Sequence, residues 1–257
     1  PLLISSSLFF PYITGKNFLF RIITEIVFIA WAALALIDAR FRPRYSPLFA
    51  ALGIFIVIIG FATVLGADPY HSFWSNFERM EGYVTYLHLF AFFIAAAHTL
   101  KTKRDWAYVL FVSLASSVFA GLYATCEHFN HAIGQPKTSL ERFCTTGSGG
   151  GRPFGTFGNA IYLGVYLMFH LFFIAALARA TSFGWRIALV VLGFFEAYIF
   201  LLASSRGALI GLAAGLAAIA FLIMVFAQKR SYRIVALGGI AALVVFFSFI
   251  RFFPTNP

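Results

Sequence analysis

Apolar residues in this chain do not alternate with polar ones; they run on in continuous blocks separated by short polar punctuation. The blocks fall at 2–13, 18–38, 47–66, 82–100, 107–124, 159–178, 187–203, 208–227 and 234–253. A helix of roughly 20 apolar residues covers the ~30 Å of hydrocarbon in a bilayer, whereas a barrel strand needs only about ten with strict alternation. The pattern therefore predicts an all-α, polytopic transmembrane helix bundle of about nine membrane segments, each satisfying its backbone hydrogen bonds internally. Residues 1–257 read as one such bundle, with no inserted soluble domain and no clear internal repeat.

Composition removes the soluble alternative. The chain is 61% hydrophobic and 19% aromatic with only 11% charged residues, and its mean hydropathy is +0.88, more apolar surface than a soluble core can hide. A net charge of +10 would fit a nucleic-acid partner only if the cations shared one face. Instead they punctuate the apolar blocks: Arg40, Arg42 and Arg44; Lys101, Lys103 and Arg104; Arg179 and Arg186; Lys229, Arg230 and Arg233. These clusters occupy every second connection, and the positive-inside rule sets them in the cytoplasm of a plasma or inner membrane. The outer loops are then 14–17, about 67–81, about 125–158 and 204–207. Because the chain starts at Pro1 inside an apolar run and stops at Pro257 just after another, the sequence reads as a fragment.

Candidate chemistry gathers on the outer side, where cations are expected to be sparse. Lys16, Arg21, Arg79, Lys137, Arg142, Arg152, Arg206 and Arg251 occur there singly, each either snorkelling to lipid headgroups or meeting an anion. Ser204-Ser205-Arg206-Gly207 forms a whole connection between two spans, so the Arg206 fork is held at the membrane surface, beside two hydroxyls, against either lipid phosphate or a bound phosphate. Arg152 opens the run Gly151-Arg152-Pro153-Phe154-Gly155-Thr156-Phe157-Gly158-Asn159 directly before a span. Glycine amides and a helix N-terminus favour an anion there, while Asn159 also suits a helix cap in a solvated loop. Phe73, Trp74, Phe77 and Met80, interleaved with Glu78, Arg79 and Glu81, suit an interfacial helix or an aromatic belt.

Within the spans, Arg21 and Glu25 are spaced to neutralise each other, and Glu196 is either a protonated bundle residue or a proton-coupled site. Gly207, Gly211 and Gly215 open a groove for a neighbouring helix. The two cysteines, Cys126 and Cys144, both fall on the outer side, where they form a disulfide or remain two thiols. No spacing suggests a metal site.

The segments Arg152 to Asn159, Ser204 to Gly207 and Phe73-Trp74-Ser75-Asn76-Phe77-Glu78-Arg79-Met80-Glu81-Gly82 resemble the O-antigen ligase and O-antigen polymerase superfamily of bacterial inner-membrane proteins, the O-antigen ligase-like membrane proteins among them. The resemblance implies a glycosyltransferase of lipopolysaccharide biosynthesis or a related pathway, moving a glycan from undecaprenyl pyrophosphate to lipid A core, to a growing glycan or to protein, without cofactor or metal. It implies that Arg206, Arg152 and Arg79, with Ser205 and Asn159 beside them, bind the donor. The catalytic base is then expected on a large outer loop, with closing helices, beyond Pro257. A transporter or flippase for a lipid-linked or anionic substrate is the alternative.

Overall fold

The computed structural model describes residues 1–4, 8, 10–76, 81–133 and 151–239, with backbone alone at 131–133. Helices α1 (Thr14–Ile37), α2 (Pro47–Leu65), α3 (Pro69–Trp74), α4 (Tyr83–Thr99), α5 (Lys103–Ile133), α6 (Ala160–Ala180), α7 (Phe183–Leu202) and α8 (Arg206–Phe226) follow one another, and the described part of the chain contains no strand. Six of these helices, α1, α2, α5, α6, α7 and α8, are long and apolar enough to cross a membrane, and α4 is a shorter apolar helix. The described residues thus fall short of the expected nine spans. The described residues of the expected first segment, 2–4, 8 and 10–13, are not helical, and α1 begins at Thr14. Residues 230–239 are helical, and the rest of the segment expected at 234–253 lies outside the described residues.

Local caps set several helix starts. Ser46 Oγ accepts from Phe49 N at 3.1 Å with Pro47 at the first helical position of α2. Asn159 Oδ1 accepts from Ile161 N at 2.8 Å to open α6, and Ser205 Oγ accepts from Ala208 N at 3.3 Å to open α8. Thr102 and Asp105 bond each other's amides at 2.9 and 3.1 Å, a reciprocal box at the head of α5.

The helices pack as two sets. In the first, α4 lies against α1 and α2, with Trp31, Ala35 and Ala95 buried between α1 and α4. In the second, α6 is central, flanked by α5, α7 and α8 around Leu163, Leu167, Ile199, Phe200 and Ala208. Gly211 and Gly215 face Met168 and Phe172 of α6, as the expected groove requires, while Gly207 has open space around it. The sets meet where Tyr12 stacks edge-on against Phe154 at 5.7 Å and Lys16 donates to the Thr156 carbonyl. Outward faces stay apolar: Ile37 is 85% and Leu65 81% exposed, a surface suited to lipid rather than water.

Helix direction alternates, so the bundle has two unlike rims. The loops after α1, α4 and α6 and the end of α8 share the basic rim. Lys101 Nζ donates to the Arg40 carbonyl, and the Phe111 ring meets Trp185 at 5.7 Å. The starts of α1, α6 and α8 share the opposite rim with the end of α7.

Candidate functional site

At that opposite rim the two motifs singled out in the sequence are joined by one side chain. Arg152 donates from Nε and Nη2 to the Ala203 carbonyl at 3.1 and 2.8 Å, and from Nη2 to the Ser204 carbonyl at 3.0 Å. Ala203 is the C-cap of α7, where the last carbonyls lack helical partners and the dipole is negative. The glycine-rich loop therefore caps, across the fold, the helix that leads into Ser204–Gly207. Ser204 turns the chain with φ of +46°, a left-handed conformation that costs a non-glycine residue about 1 kcal/mol or more.

Residues 151–159 are held from several sides. Glu127, buried on α5, accepts from Phe154 N at 3.1 Å and Gly155 N at 2.8 Å through one carboxylate oxygen. Lys16 donates to the Thr156 carbonyl and lies 5.1 Å from the centre of the Phe157 ring. At Gly158, φ is +68° and a Cβ would come within 2.6 Å of the Tyr12 ring, so only glycine fits. The loop is a braced cradle over this stretch. Its upstream glycines lie outside the described residues.

Arg206 stands apart from this bracing. It is exposed, occupies the first position of α8, and forms no hydrogen bond or ion pair with another described residue. Its neighbour Ser205 is buried and committed to the α8 cap, and Asn159 likewise caps α6. Arg152 and Arg206 thus belong to the same rim, linked through Ser204, with the N-termini of α6 and α8 beside them. A guanidinium with an open fork at two converging helix N-termini can bind a phosphate or pyrophosphate oxygen pair. Arg79 and Cys144 lie outside the described residues. Cys126, on α5, is disulfide-bonded, and the chain has one other cysteine, Cys144.

A second polar cluster lies deeper between α5, α6 and α7. His170 Nδ1 donates to the Tyr166 carbonyl at 2.7 Å, so its Nε2 accepts from Ser113 Oγ at 2.9 Å. Ser116 Oγ donates to the Ser113 carbonyl and accepts a hydrogen bond from the Tyr166 hydroxyl at 2.8 Å. Ser117 Oγ touches both the Leu114 carbonyl and Glu196 Oε1. Its single proton serves one of them. When the carbonyl takes it, the Glu196 carboxyl needs its own proton to complete the other contact. Glu196 is fully enclosed, and its Oε2 has no hydrogen-bond partner among the described residues. Arg21 and Glu25, expected to neutralise each other along α1, both reach across to α4: Arg21 donates to Thr85 at 2.9 Å, and Glu25 meets His88 Nε2 at 3.0 Å.

Sequence reasoning did not single out Glu127. The expected helix end at 124 left it in a loop, yet residues 125–133 hold neither glycine nor proline, and that signal was enough to extend α5. Among the described residues no three His, Cys, Asp or Glu side chains gather as a metal site would require. Comparison of the chain with protein-family models, with curated proteins and with solved structures finds no match.

Proposed function

We propose that this chain belongs to a bacterial inner-membrane glycan transferase of the O-antigen ligase type, with its basic rim toward the cytoplasm and its donor site at the opposite rim. The donor is an undecaprenyl-pyrophosphate-linked glycan, and the acceptor hydroxyl sits on lipid A core, a glycan or a protein. Attack of that hydroxyl on the anomeric carbon forms the new glycosidic bond, passes the hydroxyl proton to a general base, breaks the sugar–phosphate bond and leaves its electron pair on the pyrophosphate. Fixed guanidinium groups stabilise that charge in place of a metal.

The observation that carries the reading is the setting of Arg206. A cation at the first position of a helix opposes the dipole, a loss of about 0.3–1 kcal/mol, and Arg206 makes no compensating bond to a described residue. An anion bound there removes the conflict. Arg152 then serves by fixing the turn that presents Arg206. Replacing Arg206 with alanine in the full-length protein tests this: glycan transfer is expected to be lost while thermal stability in detergent holds or rises slightly. Normal transfer at normal expression would sink the proposal.

Glu196 supports a second reading, a transporter or flippase for a lipid-linked or anionic substrate, because an enclosed acid with one oxygen unbonded among the described residues can carry a proton. Substrate flux that Glu196→Gln abolishes, in a protein that shows no glycan transfer, selects that reading.

A further inference from the structure

The basic rim contains a cavity that transfer chemistry at the other rim does not use. The loops following α1 and α4 fold over each other there. Lys101 donates to the Arg40 carbonyl and lies 4.0 Å from the Phe41 ring centre, and Arg44 N donates to His98 Nε2 at 3.1 Å. Between them opens a cavity of about 490 Å³ lined by Arg40, Arg42, Arg44, His98, Lys101 and Ser46 among others, large enough for a small ligand.

Charge in this cavity is unbalanced. Arg40 is paired with Asp38 at 2.7 Å, and hydrogen bonds from Arg40 hold the Asp38 carboxyl below the usual carboxylate range, so that pair is neutral overall. Arg42 uses Nε to cap the Ala35 carbonyl at the end of α1, at 3.2 Å, which leaves its terminal nitrogens for another acceptor. The Arg44 guanidinium has no partner among the described residues. Asp105 spends its Oδ2 on the Lys101 and Thr102 amides. The N-terminus of α2 adds its positive pole, since Ser46 and Phe49 also line the cavity.

Topology signalling needs only charge in a solvated loop. Here the backbone is anchored as well: His98 Nδ1 donates to the Ile94 carbonyl at 2.8 Å, which leaves Nε2 to accept from the Arg44 amide and fixes that residue at the cavity. We propose that this cavity binds the phosphate of an anionic phospholipid headgroup, with Arg42 and Arg44 as its principal donors. The proposal is independent of the transferase reading.

Native mass spectrometry of protein released from nanodiscs of equal phosphatidylglycerol and phosphatidylcholine tests it. Wild type is expected to retain phosphatidylglycerol about tenfold over phosphatidylcholine. The Arg42→Gln/Arg44→Gln double variant should lose that preference, the other basic loops maintaining insertion. Lys229→Gln/Arg230→Gln, which removes equal charge outside the cavity, should keep it. A melting temperature raised by millimolar inorganic phosphate in wild type and not in the double variant, without lipid preference, assigns the same site to a soluble phosphate. Equal retention of both lipids with no phosphate response overturns the proposal, and so does a preference that the double variant retains or that the control variant also loses.

Discussion

Replacing Arg152 with alanine removes the three hydrogen bonds that join the glycine-rich loop to the end of α7. The Ala203 carbonyl loses both of its arginine donors, and Ala203 is fully buried, so the vacated oxygen has poor access to water. A hydrogen bond to a charged group contributes about 1.5–3 kcal/mol when desolvated, but Arg152 is itself exposed and the lower end applies. Adding roughly 0.5 kcal/mol for a cation at a helix C-terminus gives about 2 kcal/mol of local stability. Because Ser204 holds a positive φ, loss of the clamp should let this turn relax. Hydrogen exchange in detergent reads it directly: the Ser204 amide, bonded to the Leu201 carbonyl at 3.0 Å, and the Ala208 amide, bonded to Ser205 Oγ, should exchange about 30-fold faster. Arg152→Lys should recover part of that protection. If Arg152→Ala abolished glycan transfer while leaving exchange at 203–208 unchanged, the positioning role would be wrong and Arg152 would act on substrate instead.

Substitutions at two further positions, both buried carboxylates, follow from the structure. Glu127→Ala strips the acceptor from the Phe154 and Gly155 amides and should cost about 2–4 kcal/mol, read as a lowered melting temperature; Glu127→Gln, which keeps a carbonyl acceptor, should cost less than half of that. Glu196→Gln retains a hydrogen-bonding partner for Ser117 and should change stability by less than about 1 kcal/mol, whereas Glu196→Ala opens a cavity in an enclosed site and should cost about 2–4 kcal/mol. A large loss in the glutamine variant would show that the carboxylate form is needed.

How much of this was legible depends on how far each cause lies along the chain. Span length is imposed by the solvent, so the blocks at 47–66, 159–178 and 187–203 closely match α2, α6 and α7. Caps that reach two or three residues, such as Asn159 and Ser205, are local and can be read from residue type, and Asn159 was. The Arg152 cap spans 51 residues to Ala203, and no periodicity encodes that. The polar cluster lies between: Ser113, Ser116 and Ser117 share one face of α5 at helical spacing, but only packing brings His170 and Glu196 to them.

Arginine is where the sequence reading and the structure add most to each other. Counted by loop, arginines report only which rim is basic. Placed on the helices, they divide by polarity. Arg42 bonds the Ala35 carbonyl at the end of α1, Arg186 the Ala178 carbonyl at the end of α6, and Arg233 the Ala227 carbonyl at the end of α8, each a cation on a negative helix pole. Arg152 does the same for α7 at the opposite rim, so its presence there is explained by stability without any ligand. Arg206 sits on the positive pole of α8, where fold stability gives no reason for a cation. Stability and ligand binding therefore make opposite demands at these two positions: loss of Arg152 should weaken the protein first and activity as a consequence, and loss of Arg206 should remove activity with no structural cost.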